Sequence, residues 1–567
     1  EMAAALCVPT PGKRVTIAGA GGPADRDRVI LLQGNRADIA IWGSAVSLSD
    51  LTLSDAMSPG EQLNISKKVY MAPALWSMDT WGAWRFNATD VVFENVHFIA
   101  TRAASSVFLR YCRRCTIRNS LIDGGAITLA GPLRDVRIVN NSARLQGPFP
   151  KELGGGVSAF VGNGVGGRIS SVVVANNTIG ALLPYGNSTI SGRIFQAQGF
   201  FEHLYISDNV NVRAGPGALC PDMNQGEQFL WESGSEGHVQ DDVNGTVVAV
   251  DGLRLTMNFG LPTTVPYLLS KMRPPGSLPS SVDGSGGMVA RGWGPEYGAS
   301  YGGVTILRGP GVGQTRVLLG LLEDNRTLVL DRAWGVQPDA TSVIAVFSTT
   351  VHTVVVRDNV MHGLSQHVDQ TSHTATAMIP LWGRAHRATY INNVGRDMRV
   401  TMYAMVSVQD AASTVHGLSV TDHIISNLVS EHTRVGLDIQ PEPHAGLLSM
   451  IVVLRNITIR NVVDAAFGLS PTCSDSVPCS GGGAGGLAID GLHVSNATFG
   501  LASYPPGKNP EMPWVHTSFN WTSTGLGATF VRNAHFQGLE RGRAGAGATI
   551  TLGPTLPHVN FVNASFL

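Results

Sequence analysis

Two stretches in the second half of the chain, VVVRDNVM at residues 354–361 and ATYINNVG at 388–395, share one form. Apolar and β-branched residues alternate, the alternation meets asparagine, and a second alternating run follows. A period of two with β-branched residues marks strands, whereas a helix would repeat near 3.6. Asparagine between them is a turn residue, because its short amide bonds nearby backbone and tolerates left-handed dihedrals. The same phrase recurs as VVFENVHF (91–98), CTIRNSLI (115–122), VRIVNNSA (136–143), VVVANNTI (172–179) and LYISDNVNV (204–212). It returns as VLRNITIRN (453–461), GLHVSNATF (491–499), FVRNAHF (530–536) and VNFVNASF (559–566).

One asparagine per phrase in the C-terminal half gives Asn359, Asn393, Asn427, Asn461, Asn496, Asn533 and Asn563, in steps of 34, 34, 34, 35, 37 and 30. Such even steps indicate a solenoid whose coils bury their faces on one another. Helical arrays can share this period, but their aromatic and small-residue pattern is missing. The N-terminal phrases, at Asn95, Asn119, Asn141, Asn177 and Asn211, are less evenly spaced, and the phrase then disappears for 148 residues. One coil needs far fewer, which leaves an insertion of roughly 110 residues between Asn244 and Val351. Within it TVVAVDGLRLTM, VTILRG, TRVLLGLL, RTLVLDR and SVIAVFS are further strand-like runs around a Gly/Pro/Ser-rich stretch at 274–302. The expected architecture is all-β: a right-handed parallel β-helix (β-solenoid) over residues 1–244 and 352–567, enclosing a small all-β module at 245–351.

Composition agrees. Only 14% of the 567 residues are charged and 67 are glycine, against a usual charged share of about 25%. A formal charge of −1 provides no field to draw the chain to nucleic acid. No apolar run approaches the ~18 residues of a membrane span. The start, EMAAALCVP, carries no signal-peptide pattern. Eleven Asn-x-Ser/Thr sequons occur, at Asn64, Asn87, Asn140, Asn176, Asn187, Asn244, Asn325, Asn456, Asn496, Asn520 and Asn563. Chance would give about four, so the excess points to N-glycosylation and a secreted or cell-surface location; the competing reading is that β-helix turns are rich in these residues anyway. Cys473 and Cys479 bracket a short loop and are expected to close a disulfide. Cys112 and Cys115, in CRRC, read as structural thiols or disulfides, and the pairing of Cys7, Cys112, Cys115 and Cys220 stays open.

The opening runs KRVTIAGAGG (13–22), VILLQGN (29–35), IAIWGS (39–44) and VSLSDLTLS (46–54), with the asparagine-bearing turns, resemble the pectin-lyase-like right-handed β-helix superfamily. Residues 311–342 are similar to β modules inserted in bacterial and phage-like surface β-helices. The resemblance spans nearly the whole chain and implies the fold; its members include lyases, hydrolases, esterases, epimerases and structural proteins. Motifs that mark particular activities are absent. Polygalacturonase-type Asn-Thr-Asp, Asp-Asp, Gly-His-Gly and Arg-Ile-Lys elements do not occur, nor does the epimerase-type Asp-Pro-His-Asp. LWGRAH (381–386) is similar to the Leu-Gly-Arg-Pro-Trp element of pectin methylesterases, without their paired aspartate motifs.

Chemistry is expected on a second strand of each coil: GRIFQAQG, GEQFLWESG, AMIPLWGR, YAMVSVQD and VGLDIQPE. Alternation turns Phe195, Phe229, Ile379, Leu381, Val406, Val408, Leu437 and Ile439 inward, leaving Gln196, Gln198, Gln228, Glu232, Trp382, Arg384, Gln409, Asp438, Gln440 and Glu442 outside. Amides and arginine bond hydroxyls and carboxylates, and tryptophan stacks on sugar rings, so this surface suits an extended polysaccharide. Glu232 and Asp438 form the candidate carboxylate pair for glycoside hydrolysis, and Arg384 or a histidine the candidate base of a lyase. The competing reading is a solvated outer face on an adhesive or self-assembling glycoprotein. HGLSQHVDQTSH gathers His362, His367, Asp369 and His373 without a metal-ligand spacing, so no metal centre is expected there. Glu236, Asp241 and Asp242 offer carboxylates to calcium, or are ordinary loop acids.

Overall fold

A computed structural model of the chain describes residues 14–19, 30–32, 39–40, 45–54, 75–77, 88–145, 157–163, 169–181, 192–198, 201–212, 229–232, 243–258, 302–312, 314–322, 324, 326–330, 332–347, 351–363, 368, 377–382, 385–405, 421–440, 450–469, 485–503, 526–539 and 559–566. Among these, 29 strands join in one parallel sheet system and six more close a barrel. The architecture is the parallel β-helix expected from the phrases, wound in the right-handed sense that parallel crossovers adopt.

Each central coil contributes three strands. The first sheet stacks Ile169–Ala175, Phe201–Ser207, Val351–Arg357 and Ala385–Ile391 in register. A short second sheet follows, running through Ser142–Leu145, Thr178–Ala181, Val210–Val212, Val360–His362, Val394–Arg396 and Val429–Glu431. The third contains Val157–Asn163, Gly192–Gln198 and Phe229–Glu232, then Ala377–Trp382, Val400–Met405 and Val435–Gln440. Inward positions are apolar: Phe93, Ile117, Ile138, Val174, Ile206, Val356 and Tyr390 form one fully buried column. Phe195, Phe229, Ile379 and Leu437 are buried as alternation predicts.

The corner between the first and second sheets is built by two consecutive residues. The first takes positive φ: Asn140 57°, Asn176 55°, Asp208 56°, Asp358 54° and Asn392 55°. A left-handed residue turns the chain sharply, and Asn or Asp pays least for the Cβ clash. The second residue points inward, and Asn141, Asn177, Asn209, Asn359 and Asn393 are all buried. Each of the first four donates Nδ2–H to Oδ1 of the next, at 3.0, 2.9, 2.9 and 3.0 Å. The same oxygens accept backbone N–H of the preceding asparagine, and the amides also donate to carbonyls such as Val174 O and Val356 O. Buried amides thereby satisfy both themselves and the turn backbone. Ser120 starts this inner ladder, its N–H donating to Asn141 Oδ1, and the buried Leu428 follows it.

The spacing rule therefore mixed three columns. Asn359 and Asn393 belong to the inner ladder; Asn427, Asn533 and Asn563 are left-handed residues one position earlier in the corner. Asn461 and Asn496 sit with Asp397 and His432 at the following corner. Followed along the outer column, adjacent coils differ by 34, 35 and 29 residues at Asp358–Asn392–Asn427–Asn456. At the long gap the ladder partners are Asn209 and Asn359, 150 residues apart, while Asn211 is a buried residue of the second sheet.

Val243–Asp251, Arg254–Met257, Gly302–Arg308, Thr315–Leu321, Thr327–Leu330 and Val343–Phe347 form the antiparallel closed barrel. It has its own core, including Leu255, Ile306, Leu328, Leu330 and Ile344, with Arg316 stacked on Trp334 at 4.6 Å. Arg332 of this segment reaches Glu202 on the first sheet at 3.7 Å. Cys112 and Cys115 form a disulfide across a first-sheet corner, Cα atoms 6.4 Å apart. Cys473 and Cys479 lie outside the described residues.

Candidate functional site

The third sheet positions the proposed surface. Register sets Asn163, Gln198 and Glu232 in one row across three successive strands, one strand step being about 4.8 Å. These positions alternate with the buried Phe195 and Ala197 of the middle strand. Gln196 occupies the neighbouring row, opposite Val161 and Leu230. Farther along, Trp382, Met405 and Gln440 share a row, as do Pro380, Tyr403, Asp438 and Gly468.

The strand Phe229–Glu232 lies against Ala377–Trp382, so Glu232 and Asp438 are separated by three strand steps, about 14 Å of backbone. The fold places them on one sheet but not on adjacent strands. Gln228, Arg384, Gln409 and Glu442 lie outside the described residues, as do Val406 and Val408. Asn163 joins the row although the phrases did not mark it; its strand, VSAFVGN, breaks the alternation with glycine.

The second sheet holds titratable groups that sequence spacing did not reveal. His97 Nε2 is 2.7 Å from Asp123 Oδ2, and Arg144 donates Nε–H to Asp123 Oδ1 at 2.5 Å and a second N–H to Oδ2. Burial raises the Asp123 carboxyl, but hydrogen bonds and charge from His97 and Arg144 outweigh it, leaving it below the ordinary aspartate range. Coils of 24 and 21 residues bring these three groups onto neighbouring strands, and unequal coil lengths cannot be read before the coils are known. Arg396 and Arg460 flank Glu431 at 3.0 and 3.4 Å. At the next corner His432 Nδ1 meets Asp397 Oδ1 at 2.6 Å. These are cross-strand pairs that neutralise a regular outer surface.

His362 is half-buried on Val360–His362, while His367, Asp369 and His373 lie outside the described residues, as do Glu236, Asp241 and Asp242. Among the described residues no group of three or more His, Cys, Asp or Glu side chains is arranged to hold a metal ion. No described helix is long and apolar enough to cross a membrane.

No family model and no curated protein matches the chain. Among solved structures it is similar to the catalytic unit of a thermostable GH87 α-1,3-glucanase from Streptomyces thermodiastaticus, at 7% identity and a TM-score of 0.26. The alignment covers 98% of this chain and 60% of the glucanase unit. The chain thus spans about 60% of that protein's length, and a likeness this distant adds nothing to the register-based placement of side-chain positions.

Proposed function

We propose that the protein is a secreted β-helix that binds an extracellular or cell-wall polysaccharide along its third sheet. The observation that supports this most is the register of that sheet. It repeats amide and carboxylate positions at Asn163, Gln198 and Glu232, then sets Trp382 and Gln440 in a common row. A strand step of about 4.8 Å is close to the advance of one sugar unit in an extended glycan, so successive coils can meet successive sugars. Amide and carboxylate groups suit sugar hydroxyls, and an indole supplies a stacking face.

Cleavage by Glu232 and Asp438 is the finer proposal. With backbones about 14 Å apart, the ~5 Å carboxyl spacing of retaining hydrolysis is out of reach. Hydrolysis by this pair is expected to run with inversion, whose ~6.5–9.5 Å carboxyl spacing requires the two side chains to lean towards each other, one carboxyl protonating the leaving oxygen while the other activates water.

The deciding experiment presents the full chain to immobilised neutral and uronate polysaccharides and follows retention, new reducing ends and absorbance of unsaturated uronates. Trp382→Ala is expected to weaken retention about tenfold, and Glu232→Gln to remove any turnover while retaining binding. Absence of both retention and turnover from every polysaccharide would overturn the proposal in favour of an adhesive or self-assembling scaffold.

A further inference from the structure

Five sequons fall at left-handed turn positions: Asn140, Asn176, Asn456, Asn496 and Asn563, with φ between 52° and 57°. All five are exposed. The fold explains why they recur there. The corner favours Asn, Asp or Gly for its dihedrals, and two positions later the chain enters an outward position of the next strand. Ser142, Thr178, Thr458 and Ser565 occupy such positions, so the sequon spans an exposed turn asparagine and the start of the next strand.

We propose that these turn asparagines carry N-linked glycans, and that Asn140 and Asn176 are alternative rather than simultaneous acceptors. In the transfer, Asn Nδ2 attacks the anomeric carbon of a lipid-linked oligosaccharide diphosphate. The carbon–oxygen bond to diphosphate breaks, the lipid diphosphate leaves with the bonding electrons, and Nδ2 gives up one proton. A primary amide has two N–H groups. At Asn456, Asn496 and Asn563 one of them donates to Oδ1 of Asn427, Asn461 and Asn533 on the preceding coil, at 2.8, 3.1 and 2.8 Å. Glycosylation consumes the other, so the outer ladder and the modification are compatible.

Asn140 and Asn176 differ in having each other as neighbours. They follow the paired residues Val139 and Ala175, which places them on adjacent strands about 4.8 Å apart. Two glycans at that interval compete for one space once the coils stack, so a chain carrying both is expected to fail to fold and to be absent from the secreted protein. Four of the five sites lie on the corner between first and second sheets, so the second sheet separates them from the third-sheet surface. This inference does not rest on polysaccharide binding.

The test is secretion of the full chain from cultured eukaryotic cells, followed by site-resolved glycopeptide mapping and intact mass before and after amidase release of glycans. Occupancy is expected at Asn456, Asn496 and Asn563, with the fractions at Asn140 and Asn176 adding to no more than one per chain. Ser142→Ala and Thr178→Val, which spare the turn asparagines, should each raise occupancy at the other member of the pair. A secreted chain unmodified at the five turns overturns the proposal, and so does full occupancy of both Asn140 and Asn176 on one molecule. Polysaccharide retention by the deglycosylated protein is measured in parallel, so failure of one reading leaves the other readable.

Discussion

Asn209 shows what a single residue does in this molecule. Its Oδ1 accepts the backbone and side-chain N–H of Asn177, while its Nδ2 donates to Val174 O and Asn359 Oδ1. Asn209→Ala strands buried partners on the two neighbouring coils, and the expected loss is about 3 kcal/mol or more. Because coils open locally, loss of amide hydrogen-exchange protection around 174–177 and 357–359 is the suitable measurement. Asn209→Asp keeps the acceptor but turns a second oxygen towards Val174 O and Asn359 Oδ1. Its stability should recover as pH falls and the carboxyl regains a proton to donate. Asp123 has the opposite dependence. Its folded-state pKa is depressed, so its contribution is present above the unfolded value of about 3.9 and is lost as pH falls through the folded one. Thermal unfolding between pH 2 and 5 should show a flatter acid limb for Asp123→Asn than for the parent chain.

At the scale of strands, one coil must pass close over another. Gly436, in Val435–Gln440, has no room for a side chain: a Cβ there would lie 2.4 Å from Ala466 O and 2.7 Å from Ile459 Cγ2. A backbone carbonyl cannot rotate away as a side chain can, so Gly436→Ala is expected to cost roughly 1–3 kcal/mol. Limited proteolysis of the variant should cut first near the third-sheet strands around 435–469. The outer corner shows an exchange of roles between neighbours. Gly491 takes the positive φ, 76°, at one coil, and Asp490 accepts from Asn533 Nδ2 at 2.7 Å in its place. The phrase DGLHV at 490–494 therefore continues the outer ladder without asparagine.

At the scale of the molecule, the β-helix and the barrel have separate buried clusters. The first-sheet pairing of Phe201–Ser207 with Val351–Arg357 bridges the inserted segment, so the coil closes whether or not the barrel is present. Replacing residues 243–347 by a short flexible linker should leave the far-ultraviolet β signal of the remaining chain and its cooperative melt in place. The excised 243–347 fragment should fold alone, with protected amides in Leu255 and Ile344. Loss of the β-helix on excision would show instead that contacts such as Arg332–Glu202 are needed to hold the coils together.

Strand period, asparagine turns and the long interruption were legible in the residues, whereas the even step of 34 came from mixing three columns, and true coils vary, as in 34, 35 and 29 along the outer one. Burial of Phe195, Phe229, Ile379 and Leu437 followed from alternation alone. The sequence also carried the consecutive Asx–Asn pairs, but not their division of labour, since only the stacked coils distinguish an outward left-handed turn residue from an inward ladder amide. Which side chains meet across coils was decided by tertiary structure. Contacts across 21, 26, 29 and 150 residues of chain join Arg144 to Asp123, His97 to Asp123, Asn456 to Asn427 and Asn209 to Asn359. The separation of Glu232 from Asp438 is of the same kind. Each strand states its own alternation, but the number of coils between two strands is set by how much chain each loop absorbs, and loop length leaves no periodic trace.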